Sequence, residues 1–334
     1  MTPYDRTMAT VRGEERDHVS CQPLLMTFAA RLYGAKYRDY VTDHRVLVAA
    51  QLAAAEEFGI DQVTCCSDAW REPADCGAEV IFFDDAPPAC RNHLLADKTR
   101  LASLRMPRPE DGPRMSDRVA AVEAFADHVA GRIPINGWIE GPVAEAADLR
   151  GINEVMLDTI DDPRFVLDLF EWVTEMEIGF ALAQARAGAD IIGVGDAAAS
   201  LLPPTYYEQS VFPYTKRMVD AIHDAGALVR LHVCGNTNHL LAAFGRLGAD
   251  IIELDYPVDF PCAREKTGPE PVLLGNVDPV SVMLSGDPQL VRLRCEECYR
   301  AAAPRFIVGA GCEIPPATPH ENVRAMVEFA RERP

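Results

Sequence analysis

The chain has no apolar run of about 18 residues, which is the length that a membrane-spanning helix needs. Residues 1–19 are charged throughout and lack the apolar core of a secretion signal. These two absences predict a cytoplasmic protein. Positive charge is also scarce, since 32 Lys and Arg face 51 Asp and Glu for a net charge of −19. Such a field repels nucleic acid and anionic membranes and favours a small-molecule substrate or a basic partner surface, although solubility alone explains it equally well.

A disulfide framework is not expected, because ten cysteines in a cytoplasmic enzyme of 334 residues are typical of buried thiols, metal ligands or reactive groups. Cys295 and Cys298 have the spacing of a redox or zinc motif, but they lie in a charged helix and no second such pair completes a structural zinc site. We predict that they pack inside the fold. Cys65 and Cys66 end a predicted strand, where core packing is favoured and an approach to a site stays open.

Apolar β-like runs alternate with longer helical segments over most of the chain. Several of the runs are continuously apolar, as in parallel strands covered on both faces. The predicted strands are Pro23–Phe28, Gln62–Cys66, Pro134–Trp138, Asp190–Val194, Leu228–Cys234, Asp250–Asp255, Val272–Gly275 and Arg305–Gly309. The clearest predicted helices are Asp162–Gly188, Pro204–Ala225, Asn238–Leu247, Pro288–Ala303 and Pro319–Arg331. Eight strands with intervening helices predict an α/β fold, a single (β/α)8 TIM barrel over residues 1–334.

Two segments depart from this repeat. Residues 1–20 are expected to form an N-terminal helical extension. Ala78–Phe83 predicts an extra strand or hairpin inserted after the second barrel strand, and the following stretch carries three prolines near Met106. We therefore predict an insertion at 78–131 that runs over the barrel surface.

A candidate metal site follows from one strand end and one later turn. His232 and Cys234 are two residues apart on a strongly apolar strand, so their side chains point to the same face near its C-terminal end, where barrel enzymes build their sites. Cys312 lies in a glycine-rich turn after another strand. One imidazole and two thiolates suit Zn2+ and leave a fourth position for solvent or substrate. From spacing alone, a core histidine and two buried structural cysteines explain the same residues at least as well.

Motifs along nearly the whole chain resemble the uroporphyrinogen decarboxylase superfamily, whose fold is a (β/α)8 barrel. The Gly-Asn-Val-Asp-Pro segment at 275–279 is especially characteristic of it. The motifs are, in chain order, Arg12-Gly-Glu-Glu-Arg-Asp-His-Val19, Pro23-Leu-Leu-Met-Thr-Phe-Ala-Ala-Arg31, Ser67-Asp68, Gly195-Asp196, Phe212-Pro-Tyr214, His232-Val-Cys-Gly-Asn-Thr237, Leu274-Gly-Asn-Val-Asp-Pro279 and Gly311-Cys312.

Departures from the decarboxylase pattern indicate which branch this chain resembles. Decarboxylases carry Met-Arg-Gln-Ala-Gly-Arg near the N-terminus, whereas here Met26–Arg31 keeps only the last arginine. The tyrosine of their Ala-Pro-Trp region has no counterpart in Gly141–Ala147, and Cys312 stands where they have a histidine. A porphyrinogen with many carboxylates would need the missing cations, although Asp68 is retained.

A His-x-Cys pair with a late cysteine is instead the mark of the zinc-dependent corrinoid methyltransferases, such as the methylcobamide:coenzyme M methyltransferases and O-demethylase components. The resemblance implies that His232, Cys234 and Cys312 are the zinc ligands. Asp255 at the end of the next strand is our first choice for a fourth ligand, and Glu253 is the second. Other polar residues are assigned to the pocket as candidate catalytic groups, with capping of the following turn or helix as the alternative: Asp68, Asp196 and Asn236.

The resemblance also implies a corrinoid (cobalamin) partner. The chain has no Asp-x-His-x-x-Gly cobalamin motif, so the corrinoid is expected on a separate protein that docks at the barrel mouth. The methyl group would move between its cobalt and a small substrate, either a thiol acceptor or an O-methyl donor, and the ligands alone do not choose the direction. The alternatives are a porphyrinogen decarboxylase and a non-catalytic zinc-binding accessory barrel. A homodimer is expected by analogy with the superfamily.

Overall fold

The computed structural model describes all residues, 1–334, and is an α/β barrel. Seven parallel strands form one curved sheet in the order β1-β4-β5-β6-β7-β8-β9, and β2 and β3 form a separate antiparallel hairpin. The strands are β1 (Val63–Thr64), β2 (Val80–Ile81), β3 (Ala89–Cys90), β4 (Ile135–Glu140), β5 (Ile191–Gly195), β6 (Leu228–Val233), β7 (Ile251–Leu254), β8 (Val272–Val277) and β9 (Phe306–Ala310).

Helices cover the outside of the sheet, and short turns of other helical types interrupt them. The α-helices are α1 (Pro3–Arg12), α2 (Thr27–Tyr33), α3 (Tyr37–Thr42), α4 (His44–Phe58), α5 (Arg71–Asp75), α6 (Pro113–Val129), α7 (Pro142–Arg150), α8 (Ile152–Asp161), α9 (Pro163–Ala187), α10 (Pro204–Tyr206), α11 (Phe212–Asp224), α12 (Leu241–Leu247), α13 (Phe260–Thr267), α14 (Pro288–Ala302) and α15 (His320–Arg331). None of them combines the length and apolar composition that a membrane crossing requires.

The eighth position of the barrel is filled by a single bridge rather than a strand. Cys21 pairs in parallel with Val308 of β9, and its carbonyl accepts a hydrogen bond from the Asp61 N–H (3.0 Å), just before β1. The segment around Cys21 therefore closes the ring between β9 and β1. The predicted first strand, Pro23–Phe28, is wrong because α2 begins at Thr27, whose N–H donates to the Glu313 carboxylate.

The other predicted elements are confirmed with small shifts of their ends. Each of the remaining seven predicted strands overlaps one of β1 and β4 to β9. The helix predicted at Pro204–Ala225 contains a π-helical turn, Tyr207–Val211, and the helix predicted from Asn238 starts only at Leu241. The inserted hairpin after the second strand position is present as β2 and β3. Within the predicted 78–131 excursion, α6 packs between α4 and α9 like the other barrel helices.

Side chains inside the barrel form layers, because alternate residues of each strand point inward. A small apolar cluster inside the barrel consists of Ile191, Ile251, Val272, Leu274 and Ile307. Above it lies a buried polar layer. Arg230 Nη1 donates to Gln62 Oε1 (2.7 Å), and Asn136 Nδ2 donates to the same oxygen (2.9 Å). The next inward positions, nearer the C-terminal end, carry the candidate site.

Candidate metal centre

The strand β6 presents three functional side chains on one face. Arg230 and His232 lie two residues apart on the strand, so their side chains point to the same face. Cys234 follows directly after the last residue of the strand. Gly235 then adopts φ +84°, a left-handed conformation that glycine reaches without the steric cost of a Cβ. The chain therefore turns away immediately after Cys234 and leaves the thiol at the rim of the barrel.

Cys312 meets these two residues from β9, and the three predicted ligands converge. His232 Nε2 lies 2.9 Å from Cys234 Sγ, and the two sulfurs of Cys234 and Cys312 are 3.7 Å apart. One ligand atom from each residue lies within 4.8 Å of the others. Two sulfurs bound tetrahedrally to zinc at about 2.3 Å would be separated by about 3.8 Å, so the spacing fits a shared metal ion.

The electrostatics of the group favour a thiolate. Hydrogen bonds from Cys234 and His232 lower the pKa of Cys312 to about 4, although burial opposes this shift. Burial disfavours the charged His232 ring, but Cys234 and Glu253 outweigh it and raise the pKa of the imidazole well above its usual value. A thiolate is the form of cysteine that binds metal. Cys312 is therefore the sulfur that carries the negative charge, whereas the hydrogen bond with Cys312 and burial raise the pKa of Cys234.

Glu253 on the neighbouring strand β7 sets the orientation of the His232 ring. Its Oε2 lies 3.2 Å from His232 Nδ1, on the side of the ring opposite the thiols. Arg230 holds the same carboxylate through two contacts of 2.6 and 3.0 Å. Burial would raise the pKa of Glu253, but Arg230 and His232 outweigh it and lower that pKa to about 2. A carboxylate on the far nitrogen fixes the tautomer that leaves Nε2 free for a metal.

We predict that Glu253→Gln weakens zinc binding about 10- to 100-fold, because the amide keeps the size of the side chain but loses the charge that orients His232. Competition with a chelating zinc indicator measures the change. Glu208→Gln provides the control, since Glu208 is exposed on the π-helical turn and pairs only with Arg246 there. Unchanged zinc affinity in Glu253→Gln would contradict the assigned orientation.

Asp255, the first choice for a fourth ligand, lies beside the three residues but outside the group whose ligand atoms share the 4.8 Å limit. Its Oδ2 accepts from the Gly235 N–H and its Oδ1 from the Tyr256 N–H, both at 2.7 Å. Asp255 thus stabilises the turn after Cys234 through its backbone hydrogen bonds, and its ligation of a metal stays a prediction. Both oxygens of the second choice, Glu253, are held by Arg230.

The turn that carries Cys312 is fixed by its neighbour Glu313. The Glu313 carboxylate accepts from the Thr27 N–H (2.5 Å) and hydroxyl (2.6 Å) at the start of α2. Thr27 also lines a cavity of about 520 Å³ together with Arg31 and Lys36. A space large enough for a small substrate therefore opens next to the Cys312 turn.

The three polar residues assigned to the pocket occupy different surroundings. Asp68 accepts from Arg114 Nη2 (2.7 Å) and caps the turn at Trp70. Asp196 is buried, and its Oδ1 accepts from two backbone N–H groups at the start of α7, at 2.7 and 3.0 Å. Asn236 is exposed and bonds to Asn238 within its own loop. These contacts match the capping alternative, and catalytic roles for the three stay predictions.

Arg230 was missed from the sequence, and Glu253 was named there only as the second choice for a fourth zinc ligand, not as the partner of His232. Arg230 precedes His232 by two residues, so the strand period alone placed a buried arginine on the inward face. Glu253 lies opposite His232 in the β6–β7 register. Trp138 of β4 also approaches the His232 ring, with 6.3 Å between ring centroids, and it occupies space that Gly193 leaves open. Of these three residues, only Arg230 could have been placed in the site from a local sequence pattern.

The fold and site together define an α/β barrel with a histidine–cysteine–cysteine group at the C-terminal mouth. The chain belongs to the uroporphyrinogen decarboxylase family, whose sequence profile matches residues 2–333. It is 30% identical over 274 residues to the methylcobamide:CoM methyltransferase MtbA of Methanosarcina mazei, covering 79% of each chain. It is also 28% identical over 287 residues to the uroporphyrinogen decarboxylase of Geobacter metallireducens, covering 83% of this chain and 82% of that one.

A solved methyltransferase from Methanosarcina mazei has the same fold. It superposes with a TM-score of 0.91 over 99% of both chains at 24% sequence identity. The structural match therefore supports the barrel architecture throughout the chain, including the regions before β1 and after β9.

Proposed function

We propose that this protein is a zinc-dependent methyltransferase that moves a methyl group between a corrinoid cobalt, held on a separate corrinoid protein, and a small thiol or O-methyl substrate. The observation that carries the proposal is the convergence of His232, Cys234 and Cys312 at the barrel mouth. The similarity to a methylcobamide:CoM methyltransferase supports it.

The residues present fit a zinc ion by their chemistry and their surroundings. His232 Nε2 and the sulfurs of Cys234 and Cys312 form a borderline-soft donor set, and Glu253 supplies the carboxylate partner typical of a metal-binding histidine. Zinc bound there would supply Lewis acidity toward the sulfur of a thiol or the oxygen of an ether. Three protein ligands leave one position for that atom.

The chain itself orients and shields the reacting group. The Glu253 carboxylate, 3.2 Å from His232 Nδ1, favours a proton on that nitrogen, while Nε2 faces the thiols. Asp255 and Glu313 fix the two turns that carry the cysteines, which lowers the reorganisation needed when substrate binds. His232 is only 3% exposed, so little water reaches its ring. The cavity beside Thr27 offers room for a small substrate near the Cys312 turn.

Decarboxylation is the alternative that the family relationship raises, since several relatives are uroporphyrinogen decarboxylases. Binding a polycarboxylate needs unpaired cations. Three buried arginines are instead paired with carboxylates, Arg71 with Glu140 at 2.8 Å, Arg114 with Asp68 at 2.7 Å and Arg230 with Glu253 at 2.6 Å. These pairs favour methyl transfer over decarboxylation.

A spectroscopic assay of the zinc-loaded protein tests the function and its direction. We expect either demethylation of methylcobalamin by a thiol from a panel that includes coenzyme M, or methylation of Co(I) cobalamin by a methyl aryl ether. The absorbance change of the corrinoid reports both reactions, and zinc-depleted protein is the control. Absence of both reactions across the panels, with zinc bound, would support an accessory barrel, and decarboxylation of a porphyrinogen would support the other alternative.

A further inference from the structure

A second group of metal-binding side chains lies buried away from His232. Glu72 of α5, Glu145 of α7 and Glu177 of α9 are each 0% exposed. One carboxylate oxygen from each lies within 4.8 Å of the other two. Three helices that pack beside the C-terminal end of β4 therefore bring their carboxylates to a single point.

These carboxylates lack the hydrogen-bond donors that burial normally demands. Both oxygens of Glu145 and Oε1 of Glu177 are buried without any hydrogen-bond partner. The other oxygen of Glu177 accepts only a long bond from the Glu140 N–H, 3.3 Å. An unsatisfied buried carboxylate is costly, so groups of this kind are paired or bind metals.

Nearby positive charge does not balance the cluster. Arg71 contacts Glu72 at 3.2 Å and Glu140 at 2.8 Å. Its single positive charge therefore faces four carboxylates, those of Glu72, Glu140, Glu145 and Glu177. Burial raises the pKa of Glu145 and Glu177 well above the usual range, and repulsion from neighbouring carboxylates, including Glu72, adds to it. The cluster therefore requires further positive charge, as bound protons or as a cation.

We propose that Glu72, Glu145 and Glu177 bind one divalent cation of the hard, oxygen-preferring class, which comprises Mg2+, Mn2+ and Ca2+. Carboxylate oxygens are the preferred ligands of these ions, whereas the thiolates of Cys234 and Cys312 select zinc. Oxygens bound to one cation at about 2.0–2.6 Å lie at most about 5 Å apart, which the 4.8 Å grouping satisfies. Four carboxylates and one guanidinium leave three excess negative charges, of which a divalent cation would neutralise two.

Such a cation would join α5, α7 and α9 on the outside of β4. It would also place positive charge beside Glu140, which pairs with Arg71 and whose Oε2 lies near the inward-facing Gly195. The site does not depend on the proposed methyl transfer, because no member of the cluster is among the residues assigned to the zinc centre.

Binding of Mn2+ to the full-length, zinc-saturated protein tests the proposal, with the electron paramagnetic resonance signal of free Mn2+ as the readout. We expect one tight Mn2+ per chain and a higher Tm with Mn2+ than without it. Glu145→Gln should weaken that binding at least about 100-fold, since it removes a ligand charge from a buried site. Glu175→Gln is the matched control, because Glu175 lies on the same helix α9 but is exposed and pairs with Arg217.

Cys312→Ala should keep the Mn2+ site, which separates this proposal from the zinc centre. If Glu145→Gln does not fold, Glu177→Gln and the wild-type titration give the answer. The proposal is overturned if wild-type protein binds none of Mn2+, Mg2+ and Ca2+ tightly, or if Glu145→Gln binds Mn2+ as wild type does. Protons alone would then balance the cluster, and Glu145→Gln would raise Tm without any metal.

Discussion

Cys312→Ala is expected to abolish tight zinc binding and, with it, methyl transfer. Structural zinc sites bind with about 10–16 kcal/mol spread over four ligands, so one thiolate contributes about 3 kcal/mol, equivalent to more than about 100-fold in affinity. Hydrogen bonds from Cys234 and His232 lower the pKa of Cys312 to about 4, so this thiol is already suited to bind a metal as a thiolate. Elemental analysis after dialysis should fall from about one zinc per chain to near zero.

Cys262→Ala is the matched control for this variant. Cys262 is also partly exposed, but it lies on α13 and belongs to none of the possible metal-binding groups. We expect it to retain zinc and activity. Circular dichroism of both variants separates loss of zinc from loss of fold. A folded Cys312→Ala protein that keeps one zinc per chain, or a wild-type protein that folds and binds no zinc, would overturn the assignment of the site.

Much of the barrel could be predicted because its strands carry local signals. Continuous apolar runs bounded by turns predicted eight strands, of which seven are present in the parallel sheet, and the C-terminal ends of two of them located the candidate site. The failure at Pro23–Phe28 has a non-local cause. Its apolar composition resembles a strand, but Glu313, almost 300 residues later, accepts the free N–H at Thr27 and helps start α2 there. No local pattern reports such a partner.

The candidate site could likewise be predicted only where local sequence signals exist. The same-face placement of His232 and Cys234 follows from the strand period, but the approach of Cys312 depends on the closed barrel and was reached by resemblance. The carboxylate partner of His232 was not identified from sequence, where Glu253 ranked second to Asp255 as a possible fourth ligand. The structure separates them: Glu253 faces the ring, and Asp255 faces the backbone of the turn after Cys234.

A second large effect is expected at Gly311, which directly precedes Cys312 and lies against Asp255 and Tyr256. A Cβ built on Gly311 would lie 2.3 Å from the Tyr256 backbone nitrogen and 2.9 Å from Asp255 Oδ1. The obstacle is mainly backbone, which cannot rotate away as a side chain can. The end of β9 or the turn after β7 must therefore move. The first movement displaces Cys312, and the second loosens the Asp255 bond to Gly235, so either one disturbs a sulfur of the proposed zinc site.

We predict that Gly311→Ala lowers methyl transfer about 100-fold, the order expected when a reacting group is displaced by about 1 Å, and weakens zinc binding with it. Its unfolding free energy should fall by about 1–3 kcal/mol, as for other overpacked sites. Gly309→Ala is the matched control, because its Cβ would meet the end of the Leu274 side chain at 2.8 Å and that side chain can rotate. Chemical denaturation and zinc titration of the pair separate the two effects: both variants lose stability, but only Gly311→Ala should lose zinc affinity. Equal zinc affinity in the two variants would mean that the Cys312 turn is not held by its contact with Tyr256, and that the two cysteine turns adjust independently of each other.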